Sequence, residues 1–115
     1  MIKEGQIVLF KFPQTDQTIG RLRPALVIQK LPDIYDDWLI CMISKQLTQQ
    51  IENFDEIINQ EDDDYRSSGL HSPSVIRISR LAVVDKNILT GAVGDINNER
   101  LNRIKNRLAE WLKVT

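Results

Sequence analysis

The residues best suited to bind a phosphate stand where a polar loop runs into an apolar segment. Residues 20–28 read GRLRPALVI, so Arg21 and Arg23 precede a short run of small and β-branched apolar side chains. Pro24 disfavours helical backbone at Arg23, and the apolar run predicts a buried strand. One interpretation is a pair of solvated loop charges. The other is that Arg23, at the mouth of a rigid strand, holds its guanidinium ready for two-pronged binding of a phosphate.

Three further polar residues each have a functional and a simpler structural interpretation. Ser44 ends the apolar run WLICMI, where its hydroxyl either donates to a phosphate oxygen or caps its own backbone. Lys45 beside it either adds positive charge to a site or is solvated. Arg77, in the alternating segment SVIRIS, is either a second cation or the cross-strand partner of Asp55 or Glu56.

Other residues capable of chemistry favour structural roles. His71 is the only histidine and lies in the turn GLHSP, where a general base is conceivable but a plain surface residue is commoner. The carboxylates of residues 61–64 lack the ligand spacing of a calcium loop, which favours a solvated acidic loop. Cys41 lies in an apolar run and is interpreted as a small buried side chain. The sequence therefore predicts no metal site and no cofactor.

Length and composition indicate a single domain over residues 1–115, since a chain of 115 residues that is 42% hydrophobic can bury one core. No signal peptide or membrane-length apolar run is apparent, so we expect a cytoplasmic protein without membrane contact. The net charge is only −1, but the charges are segregated. Residues 52–64 carry seven acidic and no basic side chains, whereas residues 66–80 carry three arginines and no acid. Such a chain can present a local basic face.

Short apolar segments separated by polar turns predict a mainly β fold. Strands are expected at residues 6–12, 25–29, 38–43, 54–58, 74–79 and 90–93, with 81–84 continuing the fifth strand after a bend at Arg80. Asp55 and Glu56 are expected to point outward. Residues 45–50 are compatible with one short helical turn, and residues 61–68 are expected to form a charged loop.

One helix is predicted over residues 97–114, with Asn97 or Asn98 as its N-cap. Its apolar stripe consists of Leu101, Ile104, Leu108, Trp111 and Leu112. The basic residues expected largely off that stripe are Arg100, Arg103, Lys105 and Arg107. Together the elements predict a small, strongly bent antiparallel sheet or partial barrel, partly covered by the terminal helix.

Taken in order, these segments resemble the PemK/MazF family, the toxins of type II toxin–antitoxin modules. The matching segments are residues 5–8 (GQIV), 12–16 (FPQTD), 23–27 (RPALV), 43–44 (IS), 69–70 (GL), 74–77 (SVIR) and 94–96 (GDI). The resemblance covers nearly the whole chain, and the order and spacing of the segments make it specific.

The resemblance implies a small SH3-like barrel of the PemK/MazF/CcdB type with a C-terminal helix, assembled as a homodimer. It also implies metal-independent cleavage of single-stranded RNA at short preferred sequences, which inhibits translation and growth. The RNA 2′-hydroxyl would attack the adjacent phosphate and leave a 2′,3′-cyclic phosphate. The expected partners are single-stranded RNA and a cognate antitoxin, with operator DNA bound only through the antitoxin complex.

The resemblance also assigns roles to individual residues. The catalytic residues are Arg23, Ser44 and Arg77, and the RNA-binding residues are Arg21, Lys45, Thr15, Asp16 and Ser79. Ser79 stands where some members of the family have an aspartate, which leaves the general base open. RNA bases are expected to contact residues 14–20 and 45–53.

Functions without catalysis are alternatives. A degenerate toxin would still dimerise and bind its antitoxin, alone or on operator DNA. Related folds poison DNA gyrase through a tryptophan-containing C-terminal tail. Here Trp111 falls on the apolar stripe and is expected in the core, which disfavours that function.

Overall fold

The computed structural model describes residues 2–11 and 22–114, with only the backbone at Lys11. The strands are β1 (Gln6–Lys11), β2 (Leu22–Lys30), β3 (Asp37–Ser44), β4 (Glu56–Ile58), β5 (Ser74–Asp85) and β6 (Leu89–Asp95). The helices are α1 (Tyr65–Ser68) and α2 (Asn98–Lys113), and 3₁₀ turns cover Leu47–Gln49 and Lys86–Ile88.

All of these strands belong to one antiparallel sheet with the order β4-β5-β3-β2-β1-β6. The prediction of a mainly β domain with a C-terminal helix is confirmed. In the described part of the chain no ladder joins β4 to β6, so the sheet is not closed into a barrel. The bend expected at Arg80 is confirmed as a register shift: Met42 pairs with Arg77, whereas the adjacent Cys41 pairs with Leu81. Residues 78–80 therefore bulge out of the ladder.

The apolar run of β2 is continuous because its alternate side chains enter two different cores. Leu26 and Ile28 belong to the core that α2 covers, to which the helix contributes Leu101, Ile104 and Leu108. Ala25 and Val27 belong to a second core on the opposite face, formed with Val8, Phe10, Trp38, Ile40 and Leu89. Burial on both faces makes β2 a rigid central strand.

Helix α2 begins as predicted, with the Asn97 side chain accepting a hydrogen bond from the backbone N–H of Arg100 at 2.8 Å. The prediction that Trp111 and Leu112 are core residues is wrong, since they are 57% and 71% exposed. Apolar residues continue at helical spacing beyond Leu108, but Leu108 is the last residue of α2 that packs in the core. Trp111 packs instead on Phe54, with the ring centroids 5.8 Å apart. No helix in the described ranges has the length and apolar character needed to cross a membrane.

A buried ion cluster around Arg100 is the main departure from the sequence predictions. Arg100 donates to both carboxylate oxygens of Asp64 at 2.8 and 3.1 Å, to Glu56 at 2.9 Å and to Asp62 at 3.0 Å. The Arg100, Asp64 and Glu56 side chains are only 7%, 2% and 6% exposed. The predictions that Glu56 points outward and that Arg100 lies largely off the buried face are therefore wrong. The prediction of a solvated acidic loop over residues 61–64 is wrong for Asp64, whereas Glu61 and Asp63 are exposed. Each buried charge is tolerated because it meets opposite charges with good hydrogen-bond geometry.

The two buried carboxylates of this cluster remain ionised. Burial alone raises the pKa of Glu56, but the hydrogen bond from Arg103 and the charges of Arg103, Arg100 and Arg107 hold that pKa below its usual range. Burial likewise opposes ionisation of Asp64, and the hydrogen bond from Arg100 outweighs it, so the pKa of Asp64 is also lowered.

Asp55 is a third buried carboxylate, and the prediction that it points outward is wrong as well. It is 3% exposed. Its oxygens accept hydrogen bonds from the backbone N–H of Ile51 at 2.9 Å, and from the backbone N–H and hydroxyl of Ser79 at 3.0 and 3.1 Å. Asp55 thus fastens the segment before β4 to the bulge of β5.

We expect Arg100→Met to destabilise the domain by about 3–5 kcal/mol, because it leaves buried carboxylates without their counter-charge. Urea unfolding followed by circular dichroism measures the change. The matched control is Arg103→Met, which removes a side chain that binds the same Glu56 but is 45% exposed. This control should cost at most about 1 kcal/mol. Equal losses for the two variants would contradict a special role for Arg100.

Candidate functional site

A groove of about 610 Å³ brings together Arg23, Ser44 and Lys45. Its volume lies within the range of roughly 300–1,000 Å³ that is common for ligand sites. The apolar part of the lining consists of Leu9, Leu22, Pro24, Ile43, Leu70 and Val93. The remaining polar lining comes from Gln46, His71, Ser72 and Ser74.

Arg23 is placed by the register of β2. It pairs with Phe10 of β1, and Ala25, two positions further along, pairs with Met42 of β3. The same antiparallel register continued toward the strand end sets Arg23 opposite Ser44. The extended backbone predicted before Pro24 is confirmed, because the strand already includes Arg23. The Arg23 side chain is exposed, so its guanidinium is accessible to a ligand.

Ser44 is the last residue of β3, and its Oγ accepts a hydrogen bond from the backbone N–H of Gln46 at 3.1 Å. The structural interpretation of Ser44 as a strand-end cap is therefore correct. This bond does not use the hydroxyl proton, so the same hydroxyl can still donate into the groove. The exposed Lys45 follows directly and adds an ammonium group to the same side.

The opposite wall of the groove is formed by residues 69–72, and two glycines decide where it lies. A Cβ on Gly69, whose φ is +74°, would lie 2.2 Å from the carbonyl oxygen of Val93. A Cβ on Gly94 would lie 2.2 Å from the carbonyl oxygen of Ser67. No side chain fits at either position, so α1 and β6 meet backbone to backbone. The Ser67 hydroxyl fastens this contact by donating to the carbonyl of Asp95 at 3.0 Å.

His71 and Ser72 lie on this wall. His71 is exposed, as its commoner interpretation predicted, but it faces the groove that Arg23 and Ser44 line. The Ser72 Oγ is buried and has no hydrogen-bond partner among the described residues. Sequence spacing could not reveal this wall, because it approaches β2 and β3 only after α1 packs against β6.

The described lining of the groove is positively charged. Arg23 and Lys45 are its fixed charges, and no aspartate or glutamate lines it. In residues 2–11 and 22–114 no three histidine, cysteine or acidic side chains come together as a metal site would require. Burial raises the pKa of the Cys41 thiol far above its ordinary value, so Cys41 is the inert core residue that was predicted. The groove can thus bind a polyanion and donate hydrogen bonds to it.

Arg77 and Ser79 do not line this groove. The Nη1 of Arg77 donates to Gln49 at 3.5 Å, and its Nε is buried without a partner among the described residues. The cross-strand ion pair considered for Arg77 does not form, since Asp55 binds Ser79 and Glu56 binds the arginines of α2. The other predicted RNA-binding residues, Thr15, Asp16 and Arg21, lie outside the described residues.

Three solved structures share this fold. The Mycobacterium tuberculosis toxin MazF-mt6 aligns with a TM-score of 0.68 at 12% identity, over 96% of this chain and 98% of that one. An endoribonuclease in complex with its cognate antitoxin, from a mycobacterial species, aligns with a TM-score of 0.67 at 14% identity, over 100% of this chain and 98% of that one. MazE-MazF from Deinococcus radiodurans aligns with a TM-score of 0.70 at 17% identity, over 99% of this chain and 97% of that one. Such identities establish the fold alone.

The sequence itself establishes the family. None of the curated proteins matches it. The family model described as PemK-like, MazF-like toxin of type II toxin-antitoxin system matches residues 3–112. This match spans both walls of the groove and helix α2, and the chain therefore belongs to the family of PemK-like, MazF-like toxins of type II toxin–antitoxin systems.

Proposed function

We propose that this protein is a sequence-selective endoribonuclease that cleaves single-stranded RNA without a metal ion and thereby inhibits translation and growth. The observation that carries the proposal is the groove in which Arg23 and Ser44 lie on adjacent strands beside Lys45. One of the proteins that share the fold is described as an endoribonuclease, which supports the same activity here.

The chemistry follows from what the groove can donate. In RNA, the 2′-hydroxyl attacks the adjacent phosphorus and the 5′-oxygen leaves, giving a 2′,3′-cyclic phosphate and a 5′-hydroxyl. The Arg23 guanidinium offers two parallel N–H donors to the phosphoryl oxygens, on which negative charge grows in the transition state. The Ser44 hydroxyl supplies another donor, and Lys45 attracts the RNA backbone.

Arg77 supports the site from outside the groove in this proposal. Its contact with Gln49 reaches the 3₁₀ turn that follows Ser44 and Lys45. That turn carries the exposed apolar side chain of Leu47, and Ile51 lies just beyond it. We assign the choice of bases to residues 45–53 together with residues 14–20, which lie outside the described ranges.

The expected partners follow from the family. We propose that a cognate antitoxin silences the toxin, because one protein of the same fold is described as an endoribonuclease in complex with its cognate antitoxin. Operator DNA would be bound only through that complex. Action on messenger RNA places the protein in the cytoplasm.

A non-catalytic toxin that acts only by binding is the second candidate. The exposure of Trp111 favours it, because the prediction that this tryptophan is buried was the reason for setting aside a gyrase-type target. The Arg23–Ser44 groove favours cleavage, because it brings a guanidinium and a hydroxyl that keeps its proton to the same space, where both can donate to a phosphate whose charge grows during reaction.

Arg23→Ala should reduce the cleavage rate by about 10²–10³-fold, because it removes a charged donor that acts on the transition state. It should also abolish growth inhibition while leaving circular dichroism unchanged, since the side chain is exposed. Arg23→Lys should restore little activity, because an ammonium cannot make the two-pronged contact. The controls are Arg80→Ala, which removes an exposed arginine outside the groove, and Arg21→Ala, which should mainly weaken binding. Parent-like cleavage by Arg23→Ala would show that the wrong arginine is assigned.

Cleavage of single-stranded RNA should continue in excess EDTA, because arginine and serine donors do the work of a metal ion. The measurement is gel analysis of RNA incubated with purified protein and chelator, with end-group analysis for the cyclic phosphate. Activity that stops with EDTA and returns with Mg²⁺ would direct attention to the acidic residues 61–64. A protein that cleaves RNA under neither condition would support the binding-only alternative.

The protein should be a homodimer at micromolar concentration. Large apolar side chains remain exposed on β5 and at the end of α2, namely Leu81 (41%), Val83 (55%), Trp111 (57%) and Leu112 (71%). Packing these side chains against a second copy of the chain would remove their apolar surface from water. Sedimentation velocity measures the mass, and a clean monomer would contradict the prediction.

A further inference from the structure

The proposed cleavage requires a group that accepts the proton of the 2′-hydroxyl, and the groove offers few such groups. Arg23 and Lys45 are cationic donors, and a serine hydroxyl accepts hydrogen bonds but is too weakly basic to take a proton, whereas a carboxylate or a neutral imidazole can take one. No carboxylate is found in the described lining. This inference rests on the proposed ribonuclease function and concerns the same site.

The buried carboxylates of the domain are committed elsewhere. The two oxygens of Asp55 already accept three hydrogen bonds from Ile51 and Ser79. Glu56 and Asp64 are paired with arginines of α2. None of these residues lines the groove.

His71 is held between the groove and a second depression. On the groove side, the charged residues around it are Arg23 and Lys45. On the other side the titratable and charged residues are Asp62, Asp63, Tyr65 and Arg66. Its position follows from Gly69, which lies two residues before it and is locked against Val93. An exposed imidazole at this point reaches the same space as the guanidinium and the hydroxyl.

We propose that His71 is the general base of RNA cleavage. A neutral ring nitrogen of His71 takes the proton of the 2′-hydroxyl while the O2′–P bond forms. The P–O5′ bond breaks, its electron pair stays on the 5′-oxygen, and water protonates that oxygen. The imidazolium then returns its proton to solvent, so the enzyme is regenerated.

The composition of the groove favours a base over an acid. The ammonium of Lys45, the Ser44 hydroxyl and solvent can all stabilise a leaving oxygen, so proton donors are abundant. Proton acceptors are scarce, since the described lining holds no carboxylate and His71 is its only imidazole. Removal of the proton from the 2′-hydroxyl therefore requires His71, whereas protonation of the leaving oxygen does not.

The test compares the pH dependence of cleavage of one RNA oligonucleotide that the parent protein cuts. His71→Gln should lower kcat by about 10²-fold or more with little change in KM. The pH dependence that a general base gives to kcat/KM of the parent should disappear. The matched control Gln60→Ala alters a residue that lines only the second depression, and it should keep both the rate and the profile. Asp16→Asn removes the one carboxylate of residues 14–20 and tests the rival assignment, because an aspartate base would lose the pH dependence in this variant.

Several results would overturn the proposal. In His71→Gln, an effect on KM alone or an unchanged pH dependence of kcat/KM would do so. Loss of that pH dependence in Asp16→Asn would do so as well. An oligonucleotide with sulfur in place of the 5′-oxygen separates base from acid, because its leaving group needs no proton. Continued slow cleavage of this substrate by His71→Gln supports a base, whereas full rescue would make His71 the acid. If the parent protein cleaves no RNA, the proposed ribonuclease function is refuted. If the parent cleaves RNA and His71→Gln cleaves it equally well, only the role of His71 is refuted.

Discussion

The guanidinium of Arg100 is the interaction on which the shape of the site depends. It lies on α2 and binds acidic side chains from β4 and from the segment that leads into α1. A buried charge is costly unless it is fully paired, so these elements hold one relative arrangement. Because α1 is fixed in this way, Gly69 can lie against the backbone of Val93 and Gly94 against the backbone of Ser67, and the wall that carries His71 faces the groove.

The two walls of the groove are rigid for different reasons. Arg23 and Ser44 stand at the ends of strands whose central side chains are buried on both faces, so packing holds the backbone that carries them. The opposite wall carries little core of its own and is held by ion pairs and a glycine contact. The phosphate donors thus come from the wall whose backbone is held by packing, and the imidazole comes from the wall anchored by charge. Such a division fixes the backbone positions from which these side chains reach the RNA.

Local pattern was enough to predict the strands, α2 and its Asn97 cap, since each depends on near neighbours in sequence. Arg23 could be singled out for the same reason, because Pro24 and the apolar run after it lie next to it. The ion cluster could not be predicted, since Arg100 meets Asp64 and Glu56 across separations of 36 and 44 residues. A charged side chain looks the same in sequence whether it is solvated or paired in the core. Trp111 shows the converse limit, because helical spacing cannot tell where the core ends.

The pair formed by Ser79 and Asp55 shows that a carboxylate close to a predicted site does not by itself replace a missing catalytic aspartate. Some family members have an aspartate where this chain has Ser79, and the nearby Asp55 does place a carboxylate against that serine. Yet Asp55 is buried and holds the β5 bulge through three hydrogen bonds, so its oxygens are unavailable to a substrate. The described groove is left without negative charge, which strengthens its attraction for phosphate because no anion opposes Arg23 and Lys45. A neutral acceptor suits such a groove better than a carboxylate would, since it accepts a proton without repelling the RNA backbone.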